Sequence, residues 1–395
     1  MLFGMLTLGV CACGSEAPKA SEEPIPEKPK KLVIAVNPPK GDSYYVDSLG
    51  KELFPKKFNR ADRFSEGFAG VELNGKRGFI NTKGEVVIPC TYEVVWPFSE
   101  GLARVMLNNK WGYINTKGEL VVPCKYDGAD EFAEGLAIVG TGDWVFGGKK
   151  GYINTKGEEV IPLTYDDARR FSKGFAIVKQ NDKWGVINTK GEVVVPINYD
   201  WMGWYCEGLF FAQQNGKYGY VNEKGETVIP FIYEETTDFS EGLAAVRQNG
   251  KYGYINMKGE LVVPCTYDMA YPFTDGLASV CQNGKAGFIN TKGEVAIPFI
   301  YELVGSFSDG LACVTQKGLN GYINTKGELV IPCIYGLASE FIDGLAVVSK
   351  GTGMYLPCSI INKNGTVVVE KCVGGSIDSW ARIEVDSVET PVTPQ

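Results

Sequence analysis

The chain has 395 residues, more than one hydrophobic core ordinarily serves, and 44% of them are apolar, which excludes a disordered polymer. Its formal net charge is −8, with Lys and Glu interspersed, so no basic face is offered to phosphates and a nucleic-acid partner is excluded. There is no histidine, which removes the commonest general base and the commonest metal ligand together.

The first residues, "MLFGMLTLGVCACGSEAPKASEEPIPEKPK", change character abruptly. Residues 1–13 read as the apolar part of an export signal, too short to span a bilayer. Residues 14–31 are rich in Pro, Glu and Lys and read as a flexible tether. The stretch Val10-Cys11-Ala12-Cys13 resembles the lipobox of bacterial lipoproteins, in which a small residue precedes a cysteine that becomes lipid-modified. The resemblance implies lipid attachment at Cys13. It also implies a membrane-anchored, extracytoplasmic protein of the cell envelope.

From residue 32 to residue 385 the chain repeats itself, and residues 386–395 form a short tail. "KWGYINTKGELVVPCKYD" at 110–127 returns as "KYGYINMKGELVVPCTYD" at 251–268. Anchored on a turn glycine, units recur from Gly50 through Gly84 and Gly118 to Gly365, usually 34 residues apart. The insertion "GTGDWVFGGKK" lengthens one of them. Units this short cannot bury enough apolar surface alone and must share it with their neighbours.

Each unit predicts three strands. In residues 242–268, "GLAAV" and "YGYIN" flank Asn249-Gly250, a two-residue hairpin signal. Asn256 to Gly259 suits a type I turn closed by a left-handed glycine, and "ELVVP" is a third strand that Pro264 should end. The position after that proline alternates among Cys90, Cys124, Leu163, Ile197, Phe231, Cys265, Phe299 and Cys333, the pattern of a buried apolar slot. Recurrent rings from Tyr92 to Tyr335 and from Phe64 to Phe341, with Tyr205 replacing the latter once, are further core candidates, the tyrosines keeping their hydroxyls bonded.

These residues resemble the WG-repeat family, whose units read Phe-x-Glu-Gly-Leu-Ala-x-Val, Lys-Trp-Gly-Tyr-Ile-Asn, Lys-Gly-x-x-Val-Ile-Pro and Tyr-Asp. The Trp survives only as Trp111 and Trp184; Tyr218 and Tyr252 replace it, while Arg77, Lys150, Ala286 and Asn320 abandon it. The resemblance implies a repeat scaffold with no assigned activity. The expected fold is all-β, a tandem repeat array of about ten three-stranded antiparallel meanders in an open twisted solenoid. A β-propeller is the alternative; it comes second because its blades usually have four strands in longer repeats.

Variable connectors on a constant frame make binding surfaces, so Trp96, Trp201, Trp204 and Tyr271 form the candidate ligand surface. Exposed as a cluster, the tryptophans would suit glycans; buried between units, they would not. The Lys-Gly-Glu series is read as solvated edge charge that discourages aggregation, with a polymer-binding ladder as the other reading. Cys358 and Cys372 flank the last hairpin and are the best pair for a bridge. No catalytic triad, phosphate loop, metal or cofactor motif appears. The functional expectation is a non-catalytic exported lipoprotein that acts as a scaffold for protein or peptide partners. Carbohydrate or cell-wall binding is the alternative.

Overall fold

In a computed structural model of the chain, Asn249 and Gly250 take φ values of 51° and 76° and join strands Leu243–Gln248 and Lys251–Asn256 in the expected hairpin. At the next turn Asn256 Oδ1 accepts the backbone N–H groups of Lys258 and Glu260, both at 3.0 Å. Its amide donates to the Glu260 carboxylate at 2.7 Å, and Gly259 closes the turn at φ 78°. The bond from Asn to Glu recurs from Asn81–Glu85 to Asn324–Glu328. The glutamate of Lys-Gly-Glu therefore holds a turn, in addition to carrying charge at an edge.

The structure describes residues 33–37, 42–47, 51–55, 57–144, 147–351 and 357–373. The signal segment with Cys13, the tether, residues 374–385 and the tail lie outside them. Among the described residues there is no helix. Strands β1 (Val33–Val36) and β2 (Tyr44–Asp47) form a two-stranded sheet. Nine antiparallel four-stranded sheets follow, each with its strands in sequence order. The first is β3 (Arg60–Ser65), β4 (Phe68–Leu73), β5 (Lys76–Asn81) and β6 (Val86–Tyr92). The all-β tandem array is thus as the sequence reads, with four strands per unit where three were expected. The fourth comes from the connector and is often two residues long, as at Val94–Val95 and Glu235–Thr236. So short a strand carries no period-two signature.

Proline also sits differently from expectation. Pro89 lies inside β6, and Pro264 inside Leu261–Tyr267, beside a shift in register. This last strand of each sheet pairs on one side only, so a residue without an N–H costs the ladder nothing on the free edge.

The core lies between successive sheets. Phe79 and Ile88 of the first sheet share a cluster with Phe98, Ala103 and Ile114 of the second. The recurrent Phe rings are buried as expected, Phe132 meeting Tyr113 edge-on at 4.9 Å; each such ring contributes about 1.5–3 kcal/mol by burial. The slot after the proline is only half-buried, at Cys90, Cys124, Cys265 and Cys333 alike. The register shift turns it to the flank of the cluster, where Phe231 stacks on Tyr199 of the preceding sheet. The fully buried position stands two residues earlier, at Ile88, Val122 and Val263.

The β1–β2 hairpin touches both ends of the array. Val33, Ala35 and Tyr45 pack with Ala61, Phe64 and Val71 of the first four-stranded sheet. Val36 and Val46 pack with Cys358 and Ile360 of the last. The two ends therefore meet at this hairpin.

Candidate functional site: the connector surface

The connectors are fixed from inside by a residue the sequence reading did not single out, the Tyr of Gly-Tyr-Ile-Asn. Its hydroxyl donates to a backbone carbonyl 17 residues downstream: Tyr113 to Asp130 at 2.6 Å, Tyr152 to Arg169 at 2.7 Å, Tyr254 to Tyr271 at 2.7 Å and Tyr322 to Ser339 at 2.7 Å. These rings are fully buried, and burial pushes their phenols far above the ordinary value. Trp96 stands at the same place in its unit as Arg169 and Tyr271. The tyrosines thus pin this backbone position at Arg169 and Tyr271 while its side chain varies; opposite Trp96 the donor place holds Phe79, which has no hydroxyl.

A second set of bonds fastens unit to unit. The Glu66 carboxylate accepts the N–H groups of Glu100 and Gly101 at 2.7 and 2.9 Å. Glu100 accepts Gly135 N–H at 2.8 Å, Glu134 accepts Gly174 N–H at 2.7 Å, and Glu207 accepts Gly242 N–H at 2.9 Å. The acids of the Glu-Gly pairs at Glu66, Glu100, Glu134 and Glu207 are therefore fasteners, while Lys173 stands at that place before Gly174.

The four predicted aromatics fall in three places. Trp96 is exposed, with the Arg104 guanidinium 4.2 Å from its ring centroid and 5.3 Å from that of Trp111. Burial pulls Arg104 below its ordinary value, against the opposing effect of Asp130. Trp201 and Trp204 are half-buried and, with Trp184, surround Arg169 at 5.4, 5.0 and 5.2 Å. Their faces are taken up by that cation. Tyr271 is exposed beside a cleft lined by Met269, Cys281, Ala286 and Leu303. The arginines and the Ala286 cleft were missed in the sequence. The departure from Trp at position 286 was the available signal.

Other charged groups near the connectors are paired. Lys110, Lys149, Lys183 and Lys251 donate to Asp127, Asp166, Asp200 and Asp268. These lysines hold the four carboxyls below the usual range. At the far end, the register sets Cys358 directly opposite Cys372.

The family model for the WG containing repeat matches nine consecutive segments, from residues 45–76 to residues 321–352. The chain belongs to the WG-repeat family. In this WG-repeat protein the glycine of the pair answers to a close approach. A Cβ at Gly253 would stand 2.4 Å from the carbonyl oxygen of Val263, and one at Gly112 2.4 Å from that of Val122. The Trp has no such constraint and varies. No curated protein matches the WG-repeat chain. Among solved structures, a eukaryotic initiation factor is similar in fold at 9% identity, covering 88% of this chain and 98% of that one, with a TM-score of 0.50. The dihydro-heme d1 dehydrogenase NirN aligns at 12% identity over 80% of this chain and 76% of that one, with a TM-score of 0.36.

Proposed function

We propose that the protein is a non-catalytic, exported lipoprotein whose repeat array is a scaffold for protein or peptide partners. One observation carries this reading: Trp96, Arg169 and Tyr271 occupy one repeat position on an otherwise constant frame, and the Arg169 and Tyr271 carbonyls are pinned by buried tyrosines. Rigid backbone with variable side chains is how a scaffold diversifies its contacts. The lipobox-like Val10-Cys11-Ala12-Cys13 supports envelope anchoring through Cys13. Lysine partners hold the Asp127, Asp166, Asp200 and Asp268 carboxyls below the usual range, the opposite of a general acid. Proximity crosslinking in the native envelope, comparing the wild type with the double variant Trp96→Ala/Tyr271→Ala, tests the scaffold. Partner bands that persist unchanged in the variant would overturn the connector reading. Mass analysis of the mature N-terminus tests Cys13; a chain still starting at Met1 in a host with the processing machinery would overturn anchoring.

Glycan or cell-wall binding is a second reading, and the exposed ring of Trp96 favours it. Co-sedimentation with peptidoglycan, lost in Trp96→Ala, is its test.

A further inference from the structure

The position of the family Trp is a slot that nearly every unit fills. Trp184 fills it under Arg169 and Lys179, at 5.2 and 6.0 Å. Tyr252 fills it, donating to Glu235 under Arg247, whose guanidinium carbon is 5.7 Å from the ring centroid. Asn320 accepts from Thr315 at 2.7 Å and donates to the Gly336 carbonyl at 3.0 Å. Arg77 donates to Glu72 at 3.3 Å.

Lys150 brings no ring, but the hairpin insertion does. Trp144 lies 4.6 Å from Lys150 Nζ and covers Gly128, where a Cβ would meet the ring at 1.7 Å. An indole can therefore enter this slot from outside the strand that normally supplies it.

Ala286 stops at its Cβ and is itself buried, 6% exposed, at the floor of the slot. The cross-strand row Glu235, Arg247, Tyr252, Tyr267 becomes, one unit later, Met269, Cys281, Ala286, Tyr301. Cation and ring are lost together. What remains is a cleft between this sheet and the next, lined by Met269, Tyr271, Cys281, Ala286, Leu303 and Val304. Its lips are exposed and apolar: Leu303 is 68% exposed, Met269 51% and Tyr271 43%. The charged residue in the lining is Glu302, whose carboxylate the N–H groups of Lys317 and Gly318 hold at 2.9 Å each.

We propose that this cleft binds an aromatic side chain of a partner polypeptide, Trp or Tyr, with a basic residue beside it. The ring replaces what Ala286 omits, and the cation replaces what Cys281 omits and answers Glu302. The apolar lining, with sulfur at Met269 and Cys281, suits an aromatic face. A sugar would leave most of its hydroxyls without partners there. The inference rests on the scaffold reading and gives one of its contacts a chemistry.

The test uses the full chain, the blocked dipeptides acetyl-Arg-Trp-amide and acetyl-Glu-Trp-amide, and an N-acetylglucosamine disaccharide, each titrated calorimetrically. Wild type is expected to bind the Arg-Trp probe more tightly than Glu-Trp, with the disaccharide silent. Ala286→Trp, which installs the residue that Trp184 already is in a sister unit, is expected to weaken Arg-Trp binding at least about tenfold, or ~1.4 kcal/mol. Iodoacetamide labelling of Cys281 should fall in the same variant, an independent sign that the slot is filled. Leu303→Ser, at an exposed lip, is the second variant and should weaken binding severalfold without touching the fold. Failure of both dipeptides to bind, or binding unchanged in Ala286→Trp and Leu303→Ser, would overturn the slot and leave the scaffold reading of other connectors standing. Disaccharide binding blocked by Ala286→Trp would overturn the peptide occupant.

Discussion

Tyr254 donates its phenolic hydrogen to the backbone carbonyl of Tyr271, 2.7 Å away and 17 residues further along the chain. The donor is fully buried and the acceptor is exposed, so one bond ties a sheet interior to a surface connector. One unit later Phe288 occupies the donor position, also fully buried. The ring therefore packs without its hydroxyl, and Tyr254→Phe isolates the bond. The variant should lose about 1 kcal/mol, a typical net value for such a bond. Its connector amides around Tyr271 should exchange faster. An unchanged urea midpoint with unchanged exchange would refute the pinning role.

The same phenols predict alkaline behaviour. Burial raises Tyr45, Tyr113, Tyr152, Tyr220, Tyr254 and Tyr322 far above the ordinary 10.0. A group whose folded pKa is raised stabilises the fold fully below its unfolded pKa, and that stability drains away as pH climbs from there toward the folded value. Stability should therefore hold up to about pH 10 and then fall steeply. Tyrosinate absorbance should rise in a late step that coincides with loss of the β circular-dichroism signal. Smooth ionisation of all tyrosines with the fold intact would contradict the burial.

Gly253→Ala should be costly at a site without positive φ. The added Cβ would meet the Val263 oxygen at 2.4 Å, where the last strand shifts register around Pro264. Overpacking of this kind costs about 1–3 kcal/mol. Gly276→Ala has open space around its Cβ but a φ of 75°, so its loss should come from the backbone alone, about 1 kcal/mol. A thermal-shift comparison that ranks Gly276→Ala as the more damaging would argue against the close-approach account of the WG glycine.

Much of this architecture was legible because turns have local chemistry. Asn249-Gly250 and Asn256 to Gly259 announce their conformations through residues that tolerate positive φ, and both turns form as read. Recurrent Phe273 and Tyr267 announce a shared core by repetition, and both are buried. The connector strands were not legible, because Met269–Ala270 is too short to show alternation. Nor was the link from Tyr254 to Tyr271, since a bond across strands leaves no local pattern. Of the candidate site, the sequence picked out Tyr271 and the tryptophans as chemically unusual. It could not show that Arg169 occupies Trp201 and Trp204, which depends on which sheets face each other, or that Trp144 fills a sister slot from an insertion, which depends on the cross-strand register Gly128, Gly140, Lys150 within one sheet.

The meeting of the two ends gives the last prediction. Val46 in β2 is 3% exposed and shares a cluster with Cys358 and Ile360, more than three hundred residues away in sequence. The other face of the hairpin supports the first four-stranded sheet through Val33 and Tyr45. In Val46→Asp a carboxylate would be buried among apolar side chains with no partner, a change that costs about 3 kcal/mol or more. If the ends of the array depend on this hairpin, that cost is felt at both of them. Hydrogen exchange should accelerate in Pro357–Asn362 and Val367–Val373 as well as in β3–β6, while the middle sheets, such as Leu243–Tyr267, stay protected. Ile360→Asp should give the reciprocal pattern, loosening β1 and β2 from the far end of the chain. If Val46→Asp disturbed only the first sheets and left the last one untouched, the ends would not be energetically coupled, and the contact would be no part of what holds the array together.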